Sequence, residues 1–212
     1  MTAVIFDLDG TLLDTLDDLK DATNAALDAF GYPKRSLEEV RQFVGNGAAR
    51  LLAQAVPEGA DSAPVLSWFK KYYDTHCRIK TAPYPGILEV LKQIDGKYPM
   101  AIVSNKPDTA VKALCADYFP GIFAMGEHLG CPRKPAADMV MQAMDAIGAT
   151  SCIYVGDSEV DVETAKNAGV PCLSVLWGFR DRALLEQAGA THFCTQPAAL
   201  LAQIENLLLQ EK

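Results

Sequence analysis

The chain has 212 residues, room for one substantial core with a smaller appended unit but not for two full-sized domains. Hydrophobic residues at 50% and charged residues at 22%, with 15 Gly and 12 Pro, exclude a disordered or collagen-like protein. The 27 acidic against 19 basic side chains, a net charge of −8, argue against nucleic acid or an anionic membrane as a partner. A small anionic substrate stays possible, held by local cations and backbone amides against the overall field.

Six cysteines, Cys77, Cys115, Cys131, Cys152, Cys172 and Cys194, stand at wide spacings without a CxxC pair. They read as reduced thiols, several of them small core hydrophobes, rather than a zinc site or a disulfide framework. The start, Met1 to Phe6 running straight into Asp7, has neither the basic flank nor the long apolar stretch of a signal peptide. No apolar run has the length of a bilayer span, so the expected location is the cytoplasm.

Taken in chain order, β-rich segments are expected at Ala3–Leu8, Pro99–Val103, Gly121–Met125, Cys152–Val155, Cys172–Leu176 and His192–Cys194. Helical patterns separate them, which predicts βαβ units and a parallel sheet covered by helices on both faces, an α/β three-layer core of Rossmann-like type. Met139, Val140, Ala143, Met144 and Ile147 recur at helical spacing. Val160, Ala165 and Ala168 follow a capping-box-like Ser158-Glu159-Val160-Asp161 and precede Gly169 as a stop. Between Thr15 and Lys80 no strand is readable. Leu16, Leu19, Ala22, Ala26, Leu27 and Phe30, then Ala48, Leu51, Leu52 and Ala55, then Val65, Phe69 and Tyr72, give helical stripes only. An all-helical stretch of roughly 65 residues is too long for a βα loop. It predicts a separate helical lobe at 15–80 inserted into a core of 1–14 and 81–212, with a hinge near Leu13–Thr15 and a return stiffened by Pro83 and Pro85.

Chemistry concentrates at strand ends. Asp7 and Asp9 in Asp7-Leu8-Asp9-Gly10-Thr11 close the first strand, two residues apart and so on one side of it. Ligands bind at such ends in open α/β sheets. A second acidic cluster, Asp157 and Asp161 in Gly156-Asp157-Ser158-Glu159-Val160-Asp161, follows Cys152–Val155. Should the two strands be neighbours, the result is an oxygen-only site suited to a hard cation such as magnesium. Val103-Ser104-Asn105-Lys106-Pro107 offers a hydroxyl, an amide and backbone N–H groups where a helix is expected to begin at Pro107, an arrangement that can hold an anion. Arg133-Lys134-Pro135 adds cations before the next helix.

These four motifs, in this order and spacing, resemble the haloacid dehalogenase superfamily over almost the whole chain. Val44-Gly45-Asn46-Gly47, Ser104-Asn105-Lys106-Pro107 and Trp177-Gly178-Phe179-Arg180 look most like its phosphoglycolate phosphatase group. The lysine motif departs from the common Lys-Pro-x-Pro, reading Lys134-Pro135-Ala136-Ala137. The resemblance implies a magnesium-dependent phosphatase of a small phosphorylated metabolite, 2-phosphoglycolate foremost, with the helical insertion as its cap. Asp7 is then the nucleophile and Asp9 the acid and base. Magnesium is held by Asp7, the carbonyl of Asp9 and Asp157, with Asp161 nearby. Ser104, Asn105 and Lys134 meet the phosphoryl oxygens, Lys134 also orients Asp7, and Gly10, Thr11 and Arg50 complete the substrate-binding set. Arg50 stands equally open to being a surface helix arginine. A phosphomutase, another metabolite phosphatase, nucleotidase or pyrophosphatase, and a non-catalytic binding protein with this fold are the alternatives; the oligomeric state is open between monomer and homodimer.

Overall fold

The computed structural model describes residues 1–210. Its strands are β1 (Thr2–Phe6), β2 (Leu13–Asp14), β3 (Ala82–Pro83), β4 (Met100–Pro107), β5 (Phe123–Glu127), β6 (Ser151–Gly156), β7 (Cys172–Val175) and β8 (Phe193–Cys194). Helices α1 (Leu16–Ala29), α2 (Leu37–Phe43), α3 (Gly47–Ala55) and α4 (Ala63–His76) lie between β2 and β3. After β3 come α5 (Ile87–Ile94), α6 (Asp108–Tyr118), α7 (Asp138–Ala146), α8 (Glu159–Ala168), α9 (Arg182–Gln187) and α10 (Leu200–Gln210). Among the described residues no helix is long and apolar enough to cross a membrane.

Six strands form one sheet in the order β5-β4-β1-β6-β7-β8, every neighbouring pair parallel. The two-residue alternation of a strand sorts its side chains onto two buried faces. Ala3 and Ile5 of β1 join Val103, Tyr154 and the α7 residues Met139, Val140 and Met144. Val4 and Phe6 join Ile102, Val155, Ile87, Leu114 and Ile204 on the opposite face. The expected strands are all present, with shifted ends. Asp7 N makes the last ladder bond of β1, to Val155 O, and the strand ends there because the carbonyl of Leu8 then collects the amides of Thr11, Leu12 and Leu13 in a tight turn. β4 runs on to Pro107 with an irregular register past Val103, so the next helix starts at Asp108 and Pro107 caps it.

The four helices after β2 pack on one another, α1 against α4 and α2, and α3 against α2 and α4, and also reach the sheet through α3 and β4. Leu19, Leu27, Leu52, Val65 and Phe69 belong to the same apolar cluster as Val4 and Phe6, so burial is continuous between lobe and sheet. In α4 the buried side chains are Val65, Phe69 and Tyr73, four apart, and Tyr72 is only partly covered.

Both connections to the lobe are tied at one place. β2 pairs antiparallel with β3 through Leu13 with Pro83 and Asp14 with Ala82. Asp18, 3% exposed, accepts from the backbone amides of Ile79, Lys80 and Thr81 at 2.9–3.0 Å, and Tyr118 donates to Thr81 O. Asp18→Ala strands these three donors. It should cost about 3 kcal/mol, which at this chain length lowers Tm by roughly 6–12 °C. A thermal scan beside Asp18→Asn, which keeps one acceptor oxygen and should lose less, checks the assignment.

Candidate active site

At the C-terminal edge of the sheet the ends of β1, β4 and β6 converge. Asp7 Oδ1 accepts from its neighbour's amide, Leu8 N, at 2.7 Å and lies 2.9 Å from Lys134 Nζ. Gly10 sits at φ 82°, a left-handed value that favours glycine, and a Cβ there would collide with the Asp157 carboxylate. The turn it makes brings Asp9 back to the cavity, where Asp9 Oδ1 accepts from Lys106 Nζ at 2.8 Å.

Asp157 follows β6. Its Oδ1 accepts from Thr11 Oγ1 at 3.1 Å and its Oδ2 from Phe179 N at 2.7 Å. Gly178 packs against it so closely that a Cβ would overlap both Asp157 and the carbonyl of Gly10. Asp161, in the first turn of α8, is saturated. Oδ1 receives Lys134 Nζ and Tyr154 OH, and Oδ2 receives the amides of Asp157 and Ser158 and the Ser158 hydroxyl.

One carboxylate oxygen from each of Asp7, Asp157 and Asp161 lies within 4.8 Å of the others. Burial first, then the Asp161 charge, pushes Asp7 well above the usual carboxylate range, with Lys134 pulling the other way. The same two causes push Asp157 up to about 7 against the donors Phe179 N and Thr11. Buried like charges of this kind fit a hard cation, which removes the repulsion that raises both groups. Asp161, already met by five donors, fits the role of a support rather than a direct ligand.

Lys134, 2% exposed, spends its three protons on Asp7, Asp161 and Tyr154. Burial disfavours its charge, but Asp161 and Asp7 outweigh that and raise its pKa. It is placed to orient Asp7, and no donor is left for a phosphoryl group. Ser104 lines the cavity and accepts from Lys106 N at 3.3 Å, leaving its own hydroxyl proton free. Asn105 also lines the cavity, yet both its amide hydrogens are taken by Gly45 O and Lys134 O, so it bridges lobe and lysine loop instead of donating to an anion. Thr11 is fully buried and its hydroxyl is committed to Asp157, so it positions that carboxylate and does not face a substrate. Arg50 is exposed on α3 and is not part of the cavity wall. The inward face of that helix is Ala48, Leu51, Leu52 and Ala55, and a residue beside Leu51 points about 100° away.

Three residues at the site were not singled out by sequence reasoning. Lys106 stands two residues from Ser104 on an extended strand and hence on its side, the signal that could have found it. Tyr73 needed the correct phase of α4. Arg180, 7% exposed, donates to the carbonyls of Arg41, Gln42 and Val44 and to Glu159, while Arg41 donates back to Phe179 O and Gly178 O. These bonds shut the lobe over the cavity, which retains about 40 Å³, space for a few water-sized groups.

Residues 4–175 match the haloacid dehalogenase-like hydrolase family. A phosphoglycolate phosphatase of Rhodobacter capsulatus is 36% identical over 190 residues, 84% of this chain and 85% of that one. Phosphoglycolate phosphatase 1 of Pseudomonas aeruginosa is 35% identical over 202 residues, 87% and 73% of the two chains. A crystal structure from Lactobacillus delbrueckii subsp. bulgaricus, given as a candidate phosphoglycolate phosphatase, superposes with a TM-score of 0.90 at 36% identity, covering 96% of this chain and 98% of that one. With the parallel sheet, the two strand-end carboxylate clusters and the buried lysine between them already in place, these likenesses settle the kinship: the chain belongs to the haloacid dehalogenase-like hydrolase family.

Proposed function

We propose that the protein is a magnesium-dependent phosphatase that hydrolyses 2-phosphoglycolate through an aspartyl-phosphate, an acyl phosphate formed on Asp7. The observation that carries this reading is the holding of Asp7: hydrogen bonds reach its Oδ1 from Leu8 N and Lys134, and its side chain lines the cavity beside Asp9. The names of the relatives supply the substrate. The small cavity suits a short leaving group.

Asp7 attacks phosphorus as the ester P–O bond breaks, and Asp9 gives its proton to the departing oxygen. Asp9 then takes a proton from the water that attacks phosphorus, which frees Asp7 and releases phosphate. Lys134 keeps Asp7 in one orientation, and the Ser104 hydroxyl donates to a phosphoryl oxygen. Magnesium, held by Asp7 and Asp157 with the Asp9 carbonyl, would supply the positive charge that lets a carboxylate meet an anionic ester. Residues 15–80 act as the cap that excludes bulk water and selects the leaving group.

Phosphate release from 2-phosphoglycolate with magnesium, and its loss in EDTA, tests the reading. Asp7→Asn should abolish turnover while the Tm stays within a few degrees, since the apolar strand before it is unchanged. Asp9→Asn should cost about 10²–10⁴-fold on 2-phosphoglycolate and less on para-nitrophenyl phosphate, whose leaving group needs little protonation. Equal losses would argue against Asp9 as the acid.

The raised carboxylates set a second expectation. A group whose pKa is higher folded than unfolded favours folding when protonated, and that stability is lost as pH rises through the folded value. In the metal-free protein, Asp157 at about 7 should therefore make Tm climb as pH falls from about 8 toward 5. Magnesium should raise Tm most at the alkaline end and flatten this slope, since it binds the ionised form. A metal-free Tm that drops over the same range, or no shift with magnesium, would overturn the site.

A further inference from the structure

Lys106 and the Tyr73 hydroxyl have no part in the steps above. The Lys106 side chain is 2% exposed, with Nζ 2.8 Å from Asp9 Oδ1 and 4.8 Å from the centroid of the Tyr73 ring. Tyr73 is 2% exposed, and its hydroxyl is buried with no hydrogen bond of good geometry among the described residues, the Lys106 ammonium being the neighbour that acts on it. Both residues line the cavity. A buried phenol ordinarily finds a partner, so an orphaned one in a cavity wall marks a place for a ligand atom.

The other buried cations are spent. Lys134 is divided among Asp7, Asp161 and Tyr154, and Arg180 among three lobe carbonyls and Glu159. Lys106 donates to Asp9 and acts on the neighbouring Tyr73 hydroxyl, and of its three protons one is still in hand. Its position is chemically defined, because Asp9 serves the ester oxygen as it departs. An ammonium 2.8 Å from that carboxylate stands beside the first atoms of the leaving group, within reach of an anion one carbon away and short of one further along.

We propose that Lys106, with the Tyr73 hydroxyl, binds a carboxylate borne on the carbon attached to the ester oxygen, so that the site selects 2-phosphonooxy acids over longer or neutral phosphate esters. The proposal rests on the phosphatase reading and assigns its specificity to these two residues instead of Arg50. Without substrate, Asp9 occupies the ammonium; a bound carboxylate replaces it, and the buried charge on Lys106 stays compensated throughout.

The test compares kcat/KM for 2-phosphoglycolate, 3-phosphoglycerate and ethyl phosphate. Wild type should prefer the first over both others. In Lys106→Met the ratio of 2-phosphoglycolate to ethyl phosphate should fall about 10–100-fold, chiefly through KM, the contribution of a charge-assisted hydrogen bond. Any effect of the lost Asp9 contact falls on both esters, whose alcohols are poor leaving groups, and cancels in the ratio. Tyr73→Phe keeps the ring, leaves Asp9 alone and should lower the same ratio about 10-fold; it decides alone if Lys106→Met does not fold. A ratio unchanged by the substitutions, or a wild type that turns over ethyl phosphate as well as 2-phosphoglycolate, overturns the proposal and leaves the phosphatase reading standing. A wild type that hydrolyses none of the three with magnesium overturns that reading and this proposal with it.

Discussion

Four carboxylates, Asp7, Asp9, Asp157 and Asp161, meet two ammonium groups, Lys106 and Lys134, in one largely buried site, and the four against two leave two negative charges over. Burying unmatched charge is expensive, and it shows as the raised pKa values of Asp7 and Asp157. Much of the fold serves to keep these groups from relaxing apart. β1 is clamped between β4 and β6 with apolar side chains on both faces, so its end cannot drift from the end of β6. Gly10 and Gly178 flank Asp157 because any side chain at either position would displace it.

The number of donors on each carboxylate separates their roles. Asp161 accepts five hydrogen bonds and has no oxygen to spare. It offsets the charge of Lys134 and caps α8, and so fixes the lysine that in turn holds Asp7. Asp7 and Asp157 carry fewer bonds, and a carboxylate with free lone pairs in a crowded anionic site is the one able to coordinate or attack. Two residues one helical turn apart in sequence thus differ in the donors they already hold, two for Asp157 and five for Asp161, which spacing alone could not distinguish.

The sheet was legible because a strand buried on both faces reads as an uninterrupted apolar run, as in Val4-Ile5-Phe6 and Cys152-Ile153-Tyr154-Val155. Its ends were not, because they depend on where the backbone bonds go: Asp7 N to Val155, Leu8 O into a turn. The same limit governs the site. Carboxylates at strand ends announce themselves by type and position, whereas Lys106 gains its meaning only from the extended backbone that runs beyond Val103. Arg50 was attractive as a cation near the lobe's glycine turn, but α3 turns it to solvent. The helical stripes did not say how far the lobe packs on its own kind and how far on the sheet; the structure shows both, α1 against α4 and α3 against β4.

Closure of the lobe and the geometry of Asp157 depend on one short segment, Trp177 to Arg180. Trp177 donates to Thr11 O, Phe179 N donates to Asp157, and the carbonyls of Gly178 and Phe179 accept from Arg41 of α2. Arg180 returns the connection to the carbonyls at the end of α2. Opening the lobe must break the Arg41 and Arg180 bonds together, because each arginine holds the segment that carries the other's partners. Phe179 then loses its anchor on the lobe side while its amide still holds Asp157, so the carboxylate feels the change through a single peptide. The contact between lobe and core and the placing of Asp157 therefore share one segment, and Phe179 and Arg180 of that segment also line the cavity.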